Sequence, residues 1–145
     1  MLVLRGSSAL SPFRIAKLAE RLAGVDPDVE VIEARWLHLV DVARELDPDE
    51  AGRLEALLRY GPREDAAAVP ASELATDPTG ALVLVVPRPG TISPWSSKAT
   101  DIAQVCGLDA VRRIERGIAY RLAVRAGSWS PARLEALAPR LHDRM

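Results

Sequence analysis

The sequence predicts an α+β fold made of two copies of one strand–helix–strand–helix unit. Three observations carry that prediction. First, short strings recur in the same order at nearly one spacing. LSPF (10–13) returns as ISPW (92–95) and VIE (31–33) as RIE (113–115), both 82 residues on, and RLEAL (53–57) returns unchanged as RLEAL (133–137), 80 residues on. Second, apolar residues switch between a helical and a two-residue period in the same succession in both halves. Third, a proline-led start precedes each RLEAL string: DPDE from Asp47 and SPAR from Ser130.

A short apolar strand opens each half, over Leu2–Leu4 and Ala81–Val86. Each strand leads to a loop ending in Ser-Pro-aromatic. Ser11-Pro12 and Ser93-Pro94 supply a capping hydroxyl and a proline suited to the first helical position. The first helix carries Ile15, Leu18, Ala19 and Leu22 on one stripe, and the third carries Ala99, Ile102, Ala103 and Cys106. Gly24 and Gly107 stand where a left-handed residue ends a helix.

Extended runs follow at Val29–Val42 and Val111–Val124. In the second run Ile118, Tyr120, Leu122 and Val124 share one face, with Arg121 and Arg125 on the other. Gly117 interrupts that run and predicts a bulge, a bend or a split into two strands. In the first run Trp36, Leu37, Leu39 and Val40 are apolar on both faces, so this strand is buried on both sides or uses one side against a partner. The second helix has Ala51, Leu54, Leu57 and Leu58, and the fourth Leu134, Leu137, Ala138 and Leu141.

Helices packed on one face of such strands give a ferredoxin-like sandwich, here with its two units about a pseudo-two-fold axis. A unit of ~70 residues is marginal alone, so the halves are expected to share a core. The division is 1–60 and 81–141, joined by a proline-containing connector at 61–80.

Composition removes several function classes. The chain has 145 residues and a net charge of −1, so no field draws it to nucleic acid or to an anionic membrane. No apolar run approaches the ~20 residues of a membrane span. The start, MLVLRGSS, is too short and wrongly ordered for a signal peptide, so a cytoplasmic protein is expected. One cysteine and two histidines leave no internal disulfide, structural zinc site or His-rich metal site to expect.

The stretch PRPGTISPWSSKATDIA (87–103) departs from the rest of the chain. It holds Lys98, one of only two lysines beside 17 arginines, and residues 91–100 contain five of the 13 serines and threonines. Pro87 and Pro89 fix the backbone, and Gly90 allows a positive φ or a close approach. Ser96, Ser97 and Lys98 fall in a first helical turn, where N–H groups and the dipole favour an anion. Two readings stay open: a well-capped helix with a solvated lysine, or a contact surface formed by Arg88, Thr91, Ser96, Ser97 and Lys98. Trp95 is a packing residue or an interface anchor. Cys106 reads as a small core residue, and His38 as packed or hydrogen-bonded. Glu33 and Glu115, matched by the repeat, read as structural or interfacial rather than as an acid/base pair. There is no Walker loop, GxSxG string or paired cysteine spacing, and no complete active site assembles.

LRGSSALSPFRIAKL, LLRYGP, PRPGTISPWSSKATDIAQVCGL and RIERGIAYRL together resemble the N-terminal domain of phosphoribosylformylglycinamidine synthase in its large single-chain form. The resemblance runs from Met1 to the final LHDRM and implies one N-terminal domain over 1–141, with the start of a linker at 142–145. It implies a fold similar to a dimer of the small accessory subunit found where bacteria split this enzyme into three chains. It implies a parent ligase of purine biosynthesis that uses ATP, magnesium and glutamine to make formylglycinamidine ribonucleotide. That enzyme's ATP-binding synthetase domain and its glutaminase domain lie outside these residues, and Cys106 does not correspond to the glutaminase cysteine.

The resemblance further implies that this domain has no catalytic residue and no cofactor of its own. Its expected partners are the synthetase and glutaminase domains of the same polypeptide, or matching subunits. Arg88, Pro89, Gly90, Thr91, Ser93, Trp95, Ser96, Ser97, Lys98 and Asp101 are the expected coupling surface for ammonia transfer. Two readings from other classes stand beside it. One is a stand-alone ferredoxin-like regulator binding a small anion at the N-terminus of the third helix. The other is a homodimeric scaffold exposing a sheet edge.

Overall fold

The computed structural model describes residues 1–60 and 80–142. The expected connector lies outside the described residues except for Gly80, and the expected linker start lies outside them except for His142. Among the described residues eight elements alternate: β1 (Leu2–Ser8), α1 (Pro12–Ala23), β2 (Val29–Val42), α2 (Pro48–Leu58), β3 (Gly80–Val85), α3 (Pro94–Val105), β4 (Val111–Val124) and α4 (Pro131–Leu141). The strands form one antiparallel sheet in the order β1-β2-β4-β3, an α+β fold of the ferredoxin-like kind.

The four helices of the described residues start in the same way. Ser11, Asp47, Ser93 and Ser130 each accept a first-turn backbone N–H and are followed by proline. The side chain satisfies an otherwise orphaned donor, and proline at the next position has no N–H to orphan. At α2 the cap becomes reciprocal, because Glu50 also accepts from the Asp47 backbone. Arg44 grips the same carboxylate, and its hydrogen bonds, then that of the Asp47 N–H, hold Glu50 down to about 2.

The helix-covered side of the sheet holds two cores. One joins Leu18 and Leu22 of α1 to Leu137 and Leu141 of α4, over Ala34 and Leu122. The other joins Leu54 and Leu58 of α2 to Ala103 of α3, over Val40 and Ile114. Each core therefore takes its helices from both halves of the chain. Neither half closes a core without the other, as the small size of each unit demands.

The repeat is exact in the central elements: α1 and α3, and β2 and β4, have bounds 82 residues apart. The bounds of α2 and α4 lie 83 apart, so Leu54 and Leu58 correspond to Leu137 and Leu141. The identical RLEAL strings are thus three residues out of structural register. They still match in pattern because three residues is nearly one helical turn.

Other expectations are corrected. Strand β1 runs on to Ser8, with an irregularity between Arg5 and Ser8. Gly117 does not interrupt β4, where it pairs with Leu37; the register shifts fall at Val31/Glu33 and Asp41/Val42 instead. Its lack of a side chain serves a close approach, since a Cβ there would lie 2.6 Å from the Val85 carbonyl oxygen. Gly24 is right-handed, at φ −68°, whereas Gly107 has the expected positive φ of 74°.

Helix α3 is rotated from the predicted stripe. Ser96 and Ala103 are its buried residues, while Ile102 and Cys106 are exposed. The hydroxyls of Ser96 and Thr100 bond the backbone of Ile114, and those bonds fix which side of α3 meets the sheet. No helix among the described residues is long and apolar enough to cross a membrane.

Candidate functional site

The loop between β3 and α3 begins with a turn. Both the Thr91 N–H and its hydroxyl donate to the Arg88 carbonyl, at 3.2 and 2.6 Å. Pro89 and Gly90 occupy the central positions, with Gly90 at φ 82° and open space where its Cβ would stand. This is the type II pattern, so Gly90 serves the backbone angle and not a close approach.

The loop's hydroxyls then fasten α3 to β4. Ser93 Oγ accepts from the Ser96 N–H at 3.0 Å and donates to Glu115 Oε1 at 2.9 Å. Ser96 Oγ is fully buried and donates to the Ile114 carbonyl at 2.6 Å. Thr100 Oγ1 accepts from the Ile114 N–H at 3.0 Å and donates to the Ser96 carbonyl at 2.8 Å. Arg113 Nη2 reaches both the Thr91 carbonyl and Glu115. Burial alone would raise the Glu115 pKa, but the bonds from Arg113, the Arg116 N–H and Ser93 outweigh it and hold the group as a carboxylate.

Among the predicted site residues, Ser93 and Ser96 are therefore internal braces, and Thr91 is exposed with its hydroxyl closing the turn on Arg88. Arg88, Pro89, Ser97, Lys98 and Asp101 face solvent. Lys98, Asp101, Ile102 and Val105 fall at i, i+3, i+4 and i+7 along α3 and are all exposed, Val105 to 88%. They form an outward stripe that carries two apolar side chains.

Trp95 turns inward. Its ring stacks on His38 with centroids 5.9 Å apart and lies 6.3 Å from Tyr60. The Arg116 guanidinium sits 4.5 Å from the centre of Trp95 and 4.1 Å from that of Trp36, a cation over aromatic faces. His38 and Arg116 are direct partners across β2 and β4. The Tyr60 hydroxyl joins them, 2.8 Å from His38 Nε2 and 3.3 Å from Arg116 Nη1. Ser7 Oγ bonds the Tyr60 carbonyl at 2.6 Å, which ties the residue after α2 to β1. Gly6 makes room for the cluster, because a Cβ there would meet His38 Cε1 at 2.7 Å and Trp36 Cβ at 2.9 Å.

His38 is 1% exposed, and its Nδ1 has no hydrogen-bond partner. Burial, then the charge of Arg116, pulls its pKa from 6.5 to about 4. The ring is therefore neutral at neutral pH. His38 is packed and hydrogen-bonded at Nε2, as expected, while its Nδ1 is left without a partner.

The cluster breaks the repeat. At the spacing of 82, Trp95 corresponds to Phe13, Arg116 to Ala34 and His38 to Tyr120. Phe13 is 75% exposed, while Ala34 and Tyr120 are part of an apolar core. One side of the pseudo-dyad holds Ala34 and Tyr120 in a plain core, where the other holds a cation, an imidazole and an indole contributed by both halves. Sequence reasoning singled out Trp95 and His38 but passed over Arg116 and Tyr60. Laying the two halves over each other position by position was the available signal for Arg116. Tyr60 carries no such signal.

The uncovered face of the sheet has its own ion pairs. Glu33 contacts Arg5 and Arg35 at 3.1 and 2.8 Å, with Arg121 at 3.8 Å. Burial would raise its pKa, yet these arginines lower it. Glu33 and Glu115 are thus arginine-held carboxylates, as a structural role requires. No cluster of metal-ligating side chains occurs among the described residues. Cys106 is an exposed residue at the end of α3.

A family model described as the formylglycinamide ribonucleotide amidotransferase N-terminal domain matches residues 35–145. The matched span includes Trp36, His38, Tyr60, the whole β3–α3 loop and Arg116.

Proposed function

Because the chain belongs to the formylglycinamide ribonucleotide amidotransferase N-terminal family, we propose that it is a non-catalytic docking domain of phosphoribosylformylglycinamidine synthase. In this reading it bridges the synthetase and glutaminase domains, in one polypeptide or as matching subunits, and keeps them in register for ammonia transfer. ATP, magnesium and the nucleophilic cysteine belong to those partners, and the setting is purine biosynthesis in the cytoplasm.

The observation that carries this reading is the division of labour in the 87–105 stretch. Its inner hydroxyls lock α3 to the sheet, while Arg88, Lys98, Asp101, Ile102 and Val105 are left outward on a rigid mount. A pre-ordered, partly apolar surface suits docking, since little freedom is lost on binding. The anion-regulator reading draws less support. The Ser96 and Ser97 N–H groups at the start of α3 already bond Ser93.

The test is reconstitution. A phosphoribosylformylglycinamidine synthase deprived of its N-terminal domain is mixed with this chain, and glutamine-dependent product and free ammonia are measured. The expected result is restored product with less ammonia lost, and no ATP or glutamine hydrolysis by the chain alone. Glutamine hydrolysis by the chain alone, or no restoration, overturns the proposal.

A further inference from the structure

The arginines of the sheet are not all treated alike. Arg5, Arg35, Arg113 and Arg121 each meet a glutamate on the uncovered face. Arg116 lies on the helix-covered side, in the seam between the two cores, and no carboxylate pairs with it among the described residues. Its Cζ lies over two indole rings instead, and the Tyr60 hydroxyl takes one of its N–H groups. A guanidinium carries five N–H donors in a planar fork, and those not used by Tyr60 are left for another acceptor. Arg116 is half-buried, and none of its nitrogens is enclosed without a partner, so those donors remain within reach from outside.

His38 lies beside it. Its Nε2 shares a hydrogen bond with the Tyr60 hydroxyl, which also accepts from Arg116. Its Nδ1 is buried and has no hydrogen-bond partner, and a buried polar atom without one calls for explanation. The seam thus holds a cation and, among the described residues, no carboxylate.

We infer that the Trp36–Arg116–Trp95 seam is the receptor for one carboxylate, carried by an acidic side chain of the docking partner. A planar carboxylate matches the in-plane fork of a single guanidinium. A phosphate dianion calls for more positive charge than this cluster holds, since Arg116 is its only cation among the described residues. The inference rests on the docking reading and adds to it the chemistry of the partner's anchor: an aspartate or glutamate entering beside Trp95.

The experiment has two arms. In the first, the chain is titrated with sodium acetate, sodium phosphate and sodium chloride at matched ionic strength and pH 7, with tryptophan fluorescence as the readout. A saturable change with acetate that is absent in Arg116→Gln is expected. An equal response to chloride or phosphate, or an unchanged response in Arg116→Gln, overturns the carboxylate assignment. In the second arm, docking onto the truncated enzyme is measured for the wild type, Arg116→Gln and Arg116→Lys, each checked for native circular dichroism. Arg116→Gln is expected to weaken docking by about tenfold or more. Arg116→Lys is expected to weaken it less, since it keeps the charge and loses the fork. Unchanged docking by Arg116→Gln sinks the inference and leaves the docking reading standing. Failure of the wild type to dock sinks both.

Discussion

Trp36 and Ile118 face each other across β2 and β4, and each is the other's equivalent at the repeat spacing of 82. The pseudo-dyad therefore passes between them. Two residues to one side, His38 opposes Arg116; two residues to the other, Ala34 opposes Tyr120. Geometry is symmetric about this axis while chemistry is not. Duplicated backbones give a rigid platform, and a small number of side chains on one side of the axis make it directional.

Close approach at Gly117 makes the first prediction. An alanine there forces its Cβ to 2.6 Å from the Val85 carbonyl oxygen, a backbone atom of the neighbouring strand that must shift to admit it. Gly117→Ala is expected to lower stability by about 1–3 kcal/mol. Gly52 is the control: it lies inside α2 with nothing within 4 Å of its Cβ position. Gly52→Ala is expected to raise stability by about 0.5–1 kcal/mol. Urea denaturation of the two variants reads both signs.

Burial of His38 gives the fold a pH dependence of defined sign. Its pKa falls from 6.5 to about 4 on folding, so between those values the unfolded chain binds a proton that the folded chain refuses. The stabilisation is complete above 6.5 and is lost as pH falls to about 4, amounting to no more than about 3 kcal/mol. The charged and titratable groups facing the ring are Arg116, opposite it on β4, and Tyr60, beyond the end of α2. Glu33, Glu50 and Glu115 also have lowered pKa values, and their stabilisation is lost only below 4.5. Denaturation midpoints from pH 7 to 4.5 are therefore expected to fall in the wild type and to stay flatter in His38→Gln.

Much of this architecture was legible in the sequence because its signals are local. Ser-Pro and Asp-Pro starts mark the helices, and the bounds of β2 and β4 agree with the predicted runs at both ends. Where the reading failed, a tertiary contact decided the outcome. The apolar period of α3 points to Ile102 and Cys106, but hydroxyl bonds to Ile114 turn the helix toward Ser96. Gly117 reads as a strand breaker, and only the neighbouring strand shows that it makes room for Val85. The serines and threonines of the 87–101 stretch looked like ligand contacts because a sequence does not show which way a hydroxyl faces. Arg116 was one arginine among 17 until two tryptophans were seen beside it.

The inner and outer residues of α3 are expected to separate cleanly. Thr100→Val leaves the Ile114 N–H without its acceptor, at a cost of about 1–3 kcal/mol. Lys98→Ala removes an exposed side chain and is expected to change stability by less than about 0.5 kcal/mol. In the reconstitution assay the order reverses. Lys98→Ala weakens docking, while Thr100→Val docks normally at temperatures where it remains folded. Thermal melts and docking titrations on the same preparations read both orders.

The exchange of helices between halves makes its own energetic prediction. Leu22 and Leu137 lie in one core and Leu54 in the other, all at most 1% exposed. Each single change to alanine opens a cavity and is expected to cost about 2–5 kcal/mol. Leu22 and Leu137 share packing neighbours although they come from opposite halves, so their double variant departs from additivity. Leu22 and Leu54 belong to the same half but to different cores, so their costs add to within about 0.5 kcal/mol. Denaturation in a stabilising osmolyte keeps the double variants folded enough to measure. If coupling instead followed the halves, each unit would be its own folding module, and the shared cores would be a contact formed after folding and not the basis of the fold.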